Sequence, residues 1–264
     1  MILSFPFLTA SFDADARAFI NASGATDRAA INHFVKGVKR LGLYSSMVCW
    51  PLRSSQNAGT GTTAYSLGGL GTYNGTLVNG PTWGADGINR NASNAIVQIT
   101  ADATLRSALS LLFAFKSSVT SDNQIGVALS GPNLGENYFQ SVFNNDSVKQ
   151  SYFSTTRGGI NANSTQQNPT GRELLWNFAG GAMASTQNQA VFNSTLGTLQ
   201  TGLTSRNPTG SFNFVIGAVS TTVNTNARGD FSFALLSSQQ FSGAQITDIY
   251  TIYTSTLGQG LGLP

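Results

Sequence analysis

The residues that could carry acid–base chemistry are few. The 264-residue sequence holds two glutamates, Glu136 and Glu173, and neither has a second carboxylate two or three residues further along. Enzymes that hydrolyse glycosidic bonds place two carboxylates a few ångströms apart around the bond that breaks. The pattern therefore predicts that the protein is not an enzyme, and it identifies no catalytic residue.

The single histidine and the single cysteine indicate structural positions. His33 has Lys36 and Gly37 as neighbours by helical spacing, which places it on or near the polar side of a helix. Cys49 precedes the apolar pair Trp50-Pro51 and has no adjacent base that would make it a nucleophile. The sequence predicts a solvated histidine and a buried structural thiol, and it indicates no cofactor.

Calcium would require clustered oxygen ligands. Four aspartates stand in turn-like contexts: Asp86, Asp122, Asp146 and Asp230. None belongs to an Asp-x-Asp or Asp-x-Asn-x-Asp loop, so the sequence identifies no metal ligand.

Aromatic side chains that stack on sugars need exposure and polar partners. Tyr138, Tyr152 and Arg157 lie near predicted loops, where they could line a glycan groove or equally contact a protein neighbour. Trp83 and Trp176 lie in strand-like segments and are predicted to belong to the core. The residues expected to be mostly buried between two antiparallel sheets are Trp83, Phe113, Phe115, Phe214 and Phe233.

The amino-acid composition indicates a folded protein with a neutral polar surface. Charged residues make up 9% and hydrophobic residues 41%, so the chain can fill a core while neutral polar residues cover its surface. The net charge of +3 comes from the first 53 residues, which hold six basic and three acidic side chains. Such a small excess gives no argument for nucleic acid as a partner.

Residues 1–10 are apolar, but they lack a basic n-region and contain Pro6, so we expect neither a signal peptide nor a membrane span. The apolar strip consists of Ile2, Leu3, Phe5, Phe7 and Leu8. Soluble monomers rarely expose such a patch. We expect an extended arm that lies on a neighbouring molecule; the alternative is that the strip folds back over its own sandwich.

Apolar periodicity predicts helices at both ends of the chain and strands between them. Residues 12–42 show two short helical repeats separated by Gly24, and residues 244–253 show a third. From about residue 50 the period changes to two. The predicted strands are Ala95–Thr100, Leu109–Lys116, Ile125–Ser130, Tyr138–Phe143, Val148–Ser154, Glu173–Phe178, Phe212–Ala218 and Phe231–Leu236. Residues 156–171 and 197–210 are predicted loops.

Three segments carry a resemblance to known families. Residues 75–88 read Gly-Thr-Leu-Val-Asn-Gly-Pro-Thr-Trp-Gly-Ala-Asp-Gly-Ile, with two turn signals around Trp83. This wording resembles the entry strands of concanavalin A-like and laminin-G-like lectin-type β-sandwiches. Residues 231–250 resemble the last strand and closing helix of a laminin-G-like domain, while residues 13–51 are similar to the helical pair that precedes such a domain in bacteriophage proteins.

The resemblance implies an all-β, concanavalin A-like jelly-roll sandwich with an N-terminal helical hairpin and a C-terminal helix. We expect an attachment element at 1–49 and the sandwich with its closing helix at 50–264. The leading hypothesis is a non-enzymatic bacteriophage protein on the virion exterior, as capsid decoration or tail-associated, with other virion proteins and further copies of itself as partners. The alternative is a carbohydrate-binding adhesin that recognises host glycans. Neither nucleic acid nor a membrane is an expected partner.

Overall fold

A computed structural model describes most of the chain. The described residues are 11–90, 94–118, 124–130, 137–144, 150–157, 160–167, 174–184, 187–193, 195–201, 211–218 and 229–264. Glu136, Glu173, Asp122, Asp146 and the apolar strip in residues 1–10 lie outside them.

Helices occur near both ends of the chain. The helices are α1 Ala14–Ser23, α2 Arg28–Arg40, the short α3 Ala103–Arg106 and α4 Gly243–Ser255. Asp13 accepts hydrogen bonds from backbone amides at the start of α1, and Gly24 ends that helix with φ 74°. Ser242 and Gln245 form a reciprocal capping box at the start of α4. No helix in the described part of the chain is long and apolar enough to cross a membrane.

The strands, in chain order, are β1 Met47–Pro51, β2 Thr63–Ala64, β3 Gly75–Val78, β4 Thr82–Trp83, β5 Ile88–Arg90, β6 Ile96–Ala101, β7 Ser110–Ser117, β8 Gln124–Ser130, β9 Asn137–Asn144, β10 Gln150–Arg157, β11 Ile160–Gln167, β12 Trp176–Ala184, β13 Gln187–Phe192, β14 Thr195–Leu196, β15 Phe212–Ile216 and β16 Gly229–Ser237. Within the described residues all eight strands predicted from the sequence are found, seven with bounds that differ by a few residues. The eighth, predicted at Glu173–Phe178, shares only residues 176–178 with β12.

The strands form two antiparallel sheets. Sheet A has the order β14-β13-β12-β7-β16-β5-β4, and β1 also pairs with β16. Sheet B has the order β11-β10-β9-β8-β15-β6-β3-β2. A register shift between Phe231 and Phe233 divides one edge of β16, so that its first residues pair with β5 and its last residues with β1.

Apolar side chains from both sheets fill the space between them. Trp50 of sheet A lies against Phe214 of sheet B, with ring centroids 5.2 Å apart. Phe113 contacts Phe115 and Phe231 in the same layer. The inner face of each strand supplies this core because side chains alternate along a strand.

The outer face of sheet A is also apolar, and helices cover it. Phe34 of α2 packs edge-on against Phe233, with centroids 5.7 Å apart, and Tyr253 of α4 stacks on the same ring at 4.7 Å. Phe178 joins this outer cluster from β12. The sandwich thus has a third layer, built from α1, α2 and α4.

Two predictions about core aromatics are corrected here. Trp83 is only partly buried, because its strand has two residues at the margin of sheet A, and its indole nitrogen donates to the Gly61 carbonyl. Trp50 is the fully buried tryptophan of the sandwich core. Phe233 is buried as predicted, but in the outer cluster, because the register shift turns it away from the second sheet.

One predicted loop contains a strand. Residues 160–167 of the predicted loop 156–171 form β11, whose sequence Ile-Asn-Ala-Asn-Ser-Thr-Gln-Gln lacks the apolar alternation that indicates a strand. Strand β1 begins at Met47, so it includes residues on both sides of the predicted boundary between the attachment element (1–49) and the sandwich (50–264). That division into two units stays a prediction.

Candidate functional site

The sequence offers Tyr138, Tyr152 and Arg157 as residues of a glycan groove or of a contact with a protein neighbour. Tyr138 lies near the start of β9 and Arg157 ends the neighbouring antiparallel strand β10, so these two residues are at the same end of sheet B. Tyr152 lies further along β10, opposite Val142. The backbone therefore brings two of the three close together, and their role in binding stays a prediction.

The histidine and the cysteine occupy the environments that their sequence context indicates. His33 is exposed on α2. Cys49 is fully buried, and burial raises the pKa of its thiol well above the ordinary value. A thiol in that environment stays protonated and is a poor nucleophile.

Among the turn aspartates, Asp86 and Asp230 are described, and each contacts a cation. Asp86 lies 3.6 Å from the Arg53 guanidinium and Asp230 lies 3.8 Å from the Lys116 ammonium. Asn89 donates to Asp230 at 2.6 Å, yet burial raises the pKa of that carboxyl. Within the described ranges, no group of three or more histidine, cysteine or acidic side chains converges as a metal site would require.

A cleft of about 350 Å³ lies between α1 and the chain segment 65–74. We call it the tyrosine cleft, and its polar and aromatic lining consists of Asp15, Tyr44, Tyr65, Ser66, Thr72 and Asn74. Phe19 and Leu67 are buried at its floor. The cleft thus combines aromatic surface with a carboxylate, an amide and hydroxyl groups.

A buried asparagine fixes one wall of the tyrosine cleft. Asn57 donates to the carbonyls of Pro51 and Tyr65 and accepts from the backbone amides of Ala58 and Tyr65, all within 2.7–2.9 Å. Both backbone polar groups of Tyr65 are therefore held by one side chain. This arrangement restricts where the tyrosine ring can lie.

The segment after Tyr65 is tied to β1 and to itself. Leu67 exchanges backbone hydrogen bonds with Cys49 at 2.7 and 2.8 Å, and Gly69 donates to the Tyr44 carbonyl. Asn74 accepts from the Ser66 amide at 3.0 Å, which closes the loop. The lining of the cleft is consequently preorganised by backbone contacts.

A second, larger cleft of about 650 Å³ separates α2 from the end of α4. We call it the basic cleft, and its lining consists of Asp13, His33, Lys36, Gly37, Lys39, Arg40, Ile252, Ser255 and Thr256. Its floor is tight, because a Cβ atom at Gly37 would lie 2.8 Å from Ile252 Cγ2. The cleft therefore has an apolar floor and a cationic rim.

One ammonium group stands between the two clefts. Lys39 Nζ lies 2.8 Å from Asp13 Oδ1, contacts Asp15 Oδ2, and sits 4.8 Å from the centroid of the Tyr44 ring. Burial works to raise the pKa of Asp13, but hydrogen bonds from Lys39 and from the amides of Asp15 and Ala16 outweigh it and hold that pKa below its ordinary value. Asp13 is therefore ionised and paired with Lys39 at neutral pH, and Asp15 shares the same ammonium group.

The sequence did not identify either cleft. Their residues come from α1, α2, α4 and the 65–74 loop, so no local spacing joins them. The available signal was composition: residues 65–74 read Tyr-Ser-Leu-Gly-Gly-Leu-Gly-Thr-Tyr-Asn, a loop rich in aromatic, hydroxyl and amide groups. Aromatic side chains with a few well-placed polar groups are typical of small-molecule sites.

Comparison with known proteins shows likeness in structure alone. No protein-family model and no curated protein matches the sequence. Among solved structures, the binding domain of botulinum neurotoxin serotype D matches 80% of this chain with a TM-score of 0.58 and 9% identity. A ligand-binding domain of the same toxin in complex with N-acetylneuraminic acid matches 80% at 12% identity and a TM-score of 0.58. The sialidase of Trypanosoma rangeli matches 88% at 9% identity and a TM-score of 0.58.

The matched proteins are longer. The chain spans about half the length of the toxin domain (52%) and about two fifths of the sialidase (39%). At these identities the likeness shows the fold alone, a β-sandwich that also occurs in proteins solved with sialic acid.

The comparison corrects the prediction that the protein is not an enzyme. The sandwich is shared with a sialidase, which is an enzyme, so this fold does not argue against activity. The prediction rested on finding no local carboxylate pair, and carboxylates distant in sequence can meet in a folded sheet.

Proposed function

We propose that the protein binds carbohydrate through a concanavalin A-like jelly-roll sandwich, with the tyrosine cleft as the sugar site. The observation that carries the proposal is the pairing of Tyr44 and Tyr65 with Asp15, Ser66 and Asn74 in one cleft. The occurrence of the same sandwich in proteins solved with sialic acid supports it.

The side chains of the tyrosine cleft match the two kinds of surface on a sugar. Tyrosine rings offer apolar area for the C–H face of a pyranose, and their hydroxyls reach polar partners. Burial, together with the nearby Asp15, raises the pKa of Tyr44, so its hydroxyl remains a donor across the neutral range. Asp15 can accept hydrogen bonds from sugar hydroxyls. Asn74 can donate through its side-chain NH₂ group, because its carbonyl oxygen already accepts from Ser66.

Preorganisation also favours binding. Ordering a flexible side chain on association costs about 0.5–1.5 kcal/mol. Asn57 already holds the backbone of Tyr65, and the Leu67–Cys49 pairing holds the loop that follows. A ligand would therefore meet a wall that is ordered before it arrives.

A glycan array followed by calorimetry tests the proposal. Wild-type protein is expected to bind a defined set of glycans, and Tyr65→Leu should weaken binding at least tenfold because it removes the ring but keeps apolar bulk. The matched control is Tyr73→Leu, a half-buried tyrosine of the same loop that does not line the cleft. Equal loss in both variants, or no glycan bound by the wild type, would contradict the proposal.

A second candidate function is display on the exterior of a virion, as capsid decoration or as a tail-associated protein. The favouring observation is the apolar strip in residues 1–10, together with the resemblance of residues 13–51 to helical pairs of bacteriophage proteins. Attachment through this strip is compatible with glycan binding elsewhere on the molecule. Deletion of residues 1–10 should leave the protein folded but unable to join particles or oligomers; normal assembly would count against the arm.

A further inference from the structure

The tyrosine cleft and the basic cleft are neighbours. Asp13 lines the basic cleft, Asp15 lines the tyrosine cleft, and the Lys39 ammonium contacts both carboxylates. A single ion-paired cluster is thus the wall between them. A ligand that is longer than the tyrosine cleft could therefore extend past this cluster into the basic cleft.

The basic cleft carries an excess of positive charge. Its lining contains Lys36, Lys39 and Arg40 against the carboxylate of Asp13, which leaves two more cations than anions when His33 is counted as neutral. Lys39 is occupied by its aspartates. Lys36 and Arg40 form no ion pair with any other described residue, so their charges face the cleft and the solvent.

Part of this charge has a structural use. Helix α2 ends at Arg40 and α4 ends at Ser255, and helix C-termini favour cations. The dipoles do not explain why the two helix ends enclose a cleft of about 650 Å³ with a hydrophobic floor at Ile252. A ring or acyl group can lie on that floor while an anionic group meets the rim.

We propose that the preferred ligand is an acidic saccharide, whose neutral sugar lies in the tyrosine cleft and whose anionic group lies between Lys36 and Arg40. This inference rests on the proposed sugar binding. It adds the charge of the ligand and which end of the ligand lies in each cleft. The shared chemistry is an anionic group, a carboxylate or a sulfate. Arginine suits either group because its guanidinium presents paired donors.

The test uses the full chain on an array of matched glycan pairs that differ only in the acidic group. The acidic members carry N-acetylneuraminic acid, a uronic acid or a sulfate, and the neutral partners lack it. Acidic members should bind about tenfold more tightly, the usual gain from hydrogen bonds to a charged group. Comparison of the two carboxylate-bearing sets with the sulfate-bearing set shows which anionic group the protein prefers.

A double variant assigns the effect to the basic cleft. Lys36→Gln/Arg40→Gln should abolish the preference for acidic members and leave binding of the neutral partners unchanged. The matched control is Arg17→Gln/Arg28→Gln, which removes two exposed cations from α1 and α2 outside both clefts. The control should keep the preference, and added salt should reduce it in the wild type.

Each outcome decides something different. No glycan bound by wild-type protein overturns both the sugar binding and the inference. Equal binding of acidic and neutral partners overturns the inference alone. If Lys36→Gln/Arg40→Gln still prefers acidic glycans, or if Arg17→Gln/Arg28→Gln loses the preference equally, the basic cleft does not bind the anionic group. A lower melting temperature without a change in preference would mean that the two cations serve the helix ends only.

Discussion

The two faces of sheet A differ in what they do for the molecule. The inner face packs against sheet B through rings such as Trp50 and Phe214, and it builds the sandwich shared with the structural neighbours. The outer face is covered by α1, α2 and α4, and the two clefts border this helical layer. The difference indicates that the inner face maintains the fold while the layer outside it shapes the two clefts.

The largest expected effect concerns the inner face. Trp50→Ala should destabilise the protein by about 3–5 kcal/mol, because it removes a fully buried ring that contacts Phe214. Trp83→Ala should cost less, about 1–2 kcal/mol, because that ring is only partly buried. Denaturant unfolding of both variants measures the difference. A cost for Trp83 equal to that for Trp50 would contradict this account of the core.

Gly68 lines the tyrosine cleft and packs closely against the backbone of β1. A Cβ at Gly68 would lie 2.2 Å from the Met47 carbonyl oxygen, and the residue has φ 148°. Gly68→Ala should therefore cost about 2–3 kcal/mol and weaken sugar binding, since the loop must leave β1. Gly61→Ala is the control: φ is 71°, but nothing lies within 4 Å of the added atom. Thermal melting and calorimetry should show the larger loss at Gly68, and equal losses would contradict the close approach.

The smallest expected effect is electrostatic and belongs to the outer layer. The pKa of Asp13 is lowered in the folded protein, so its contribution to stability is present above the ordinary value of 3.8 and is lost as pH falls through the lowered folded value. Asp13→Asn keeps a good helix cap but removes the charge that pairs with Lys39. We expect a loss of no more than about 1 kcal/mol at pH 7, which disappears as pH falls through the lowered folded pKa of Asp13. Unfolding measured across that range checks it, and a loss that is constant with pH would contradict the ion pair.

The sequence was a good guide to the inner face. Period-two apolar runs predicted eight of the sixteen strands in the described residues, because alternation is a local consequence of burying one side of a strand. It was misleading at Trp83, where flanking turns leave a strand of two residues, and at Phe233, where a register shift changes the face. Strand β11 was not predicted, because most of its residues are polar and give no sustained apolar alternation.

The outer layer was harder to predict. Helices α1, α2 and α4 follow from helical spacing and caps, but the clefts that they border arise only from tertiary packing. Asp15, Tyr44 and Asn74 are far apart in sequence and meet because β1 holds the 65–74 loop beneath α1. The sequence offered glycan binding as an alternative function, and the residues that it named for a groove, Tyr138, Tyr152 and Arg157, lie on β9 and β10 and line neither cleft.

The central claim is that the tyrosine cleft holds the sugar, and mapping by NMR tests it most directly. Amide resonances of the 27.7-kDa protein are recorded while the tightest array glycan is titrated in. The account predicts shifts that concentrate at residues 15–19 and 65–74, and that extend to residues 36–40 for an acidic glycan. Shifts that concentrate at residues 138–157, with residues 65–74 unmoved, would contradict it and place the site on the sheet.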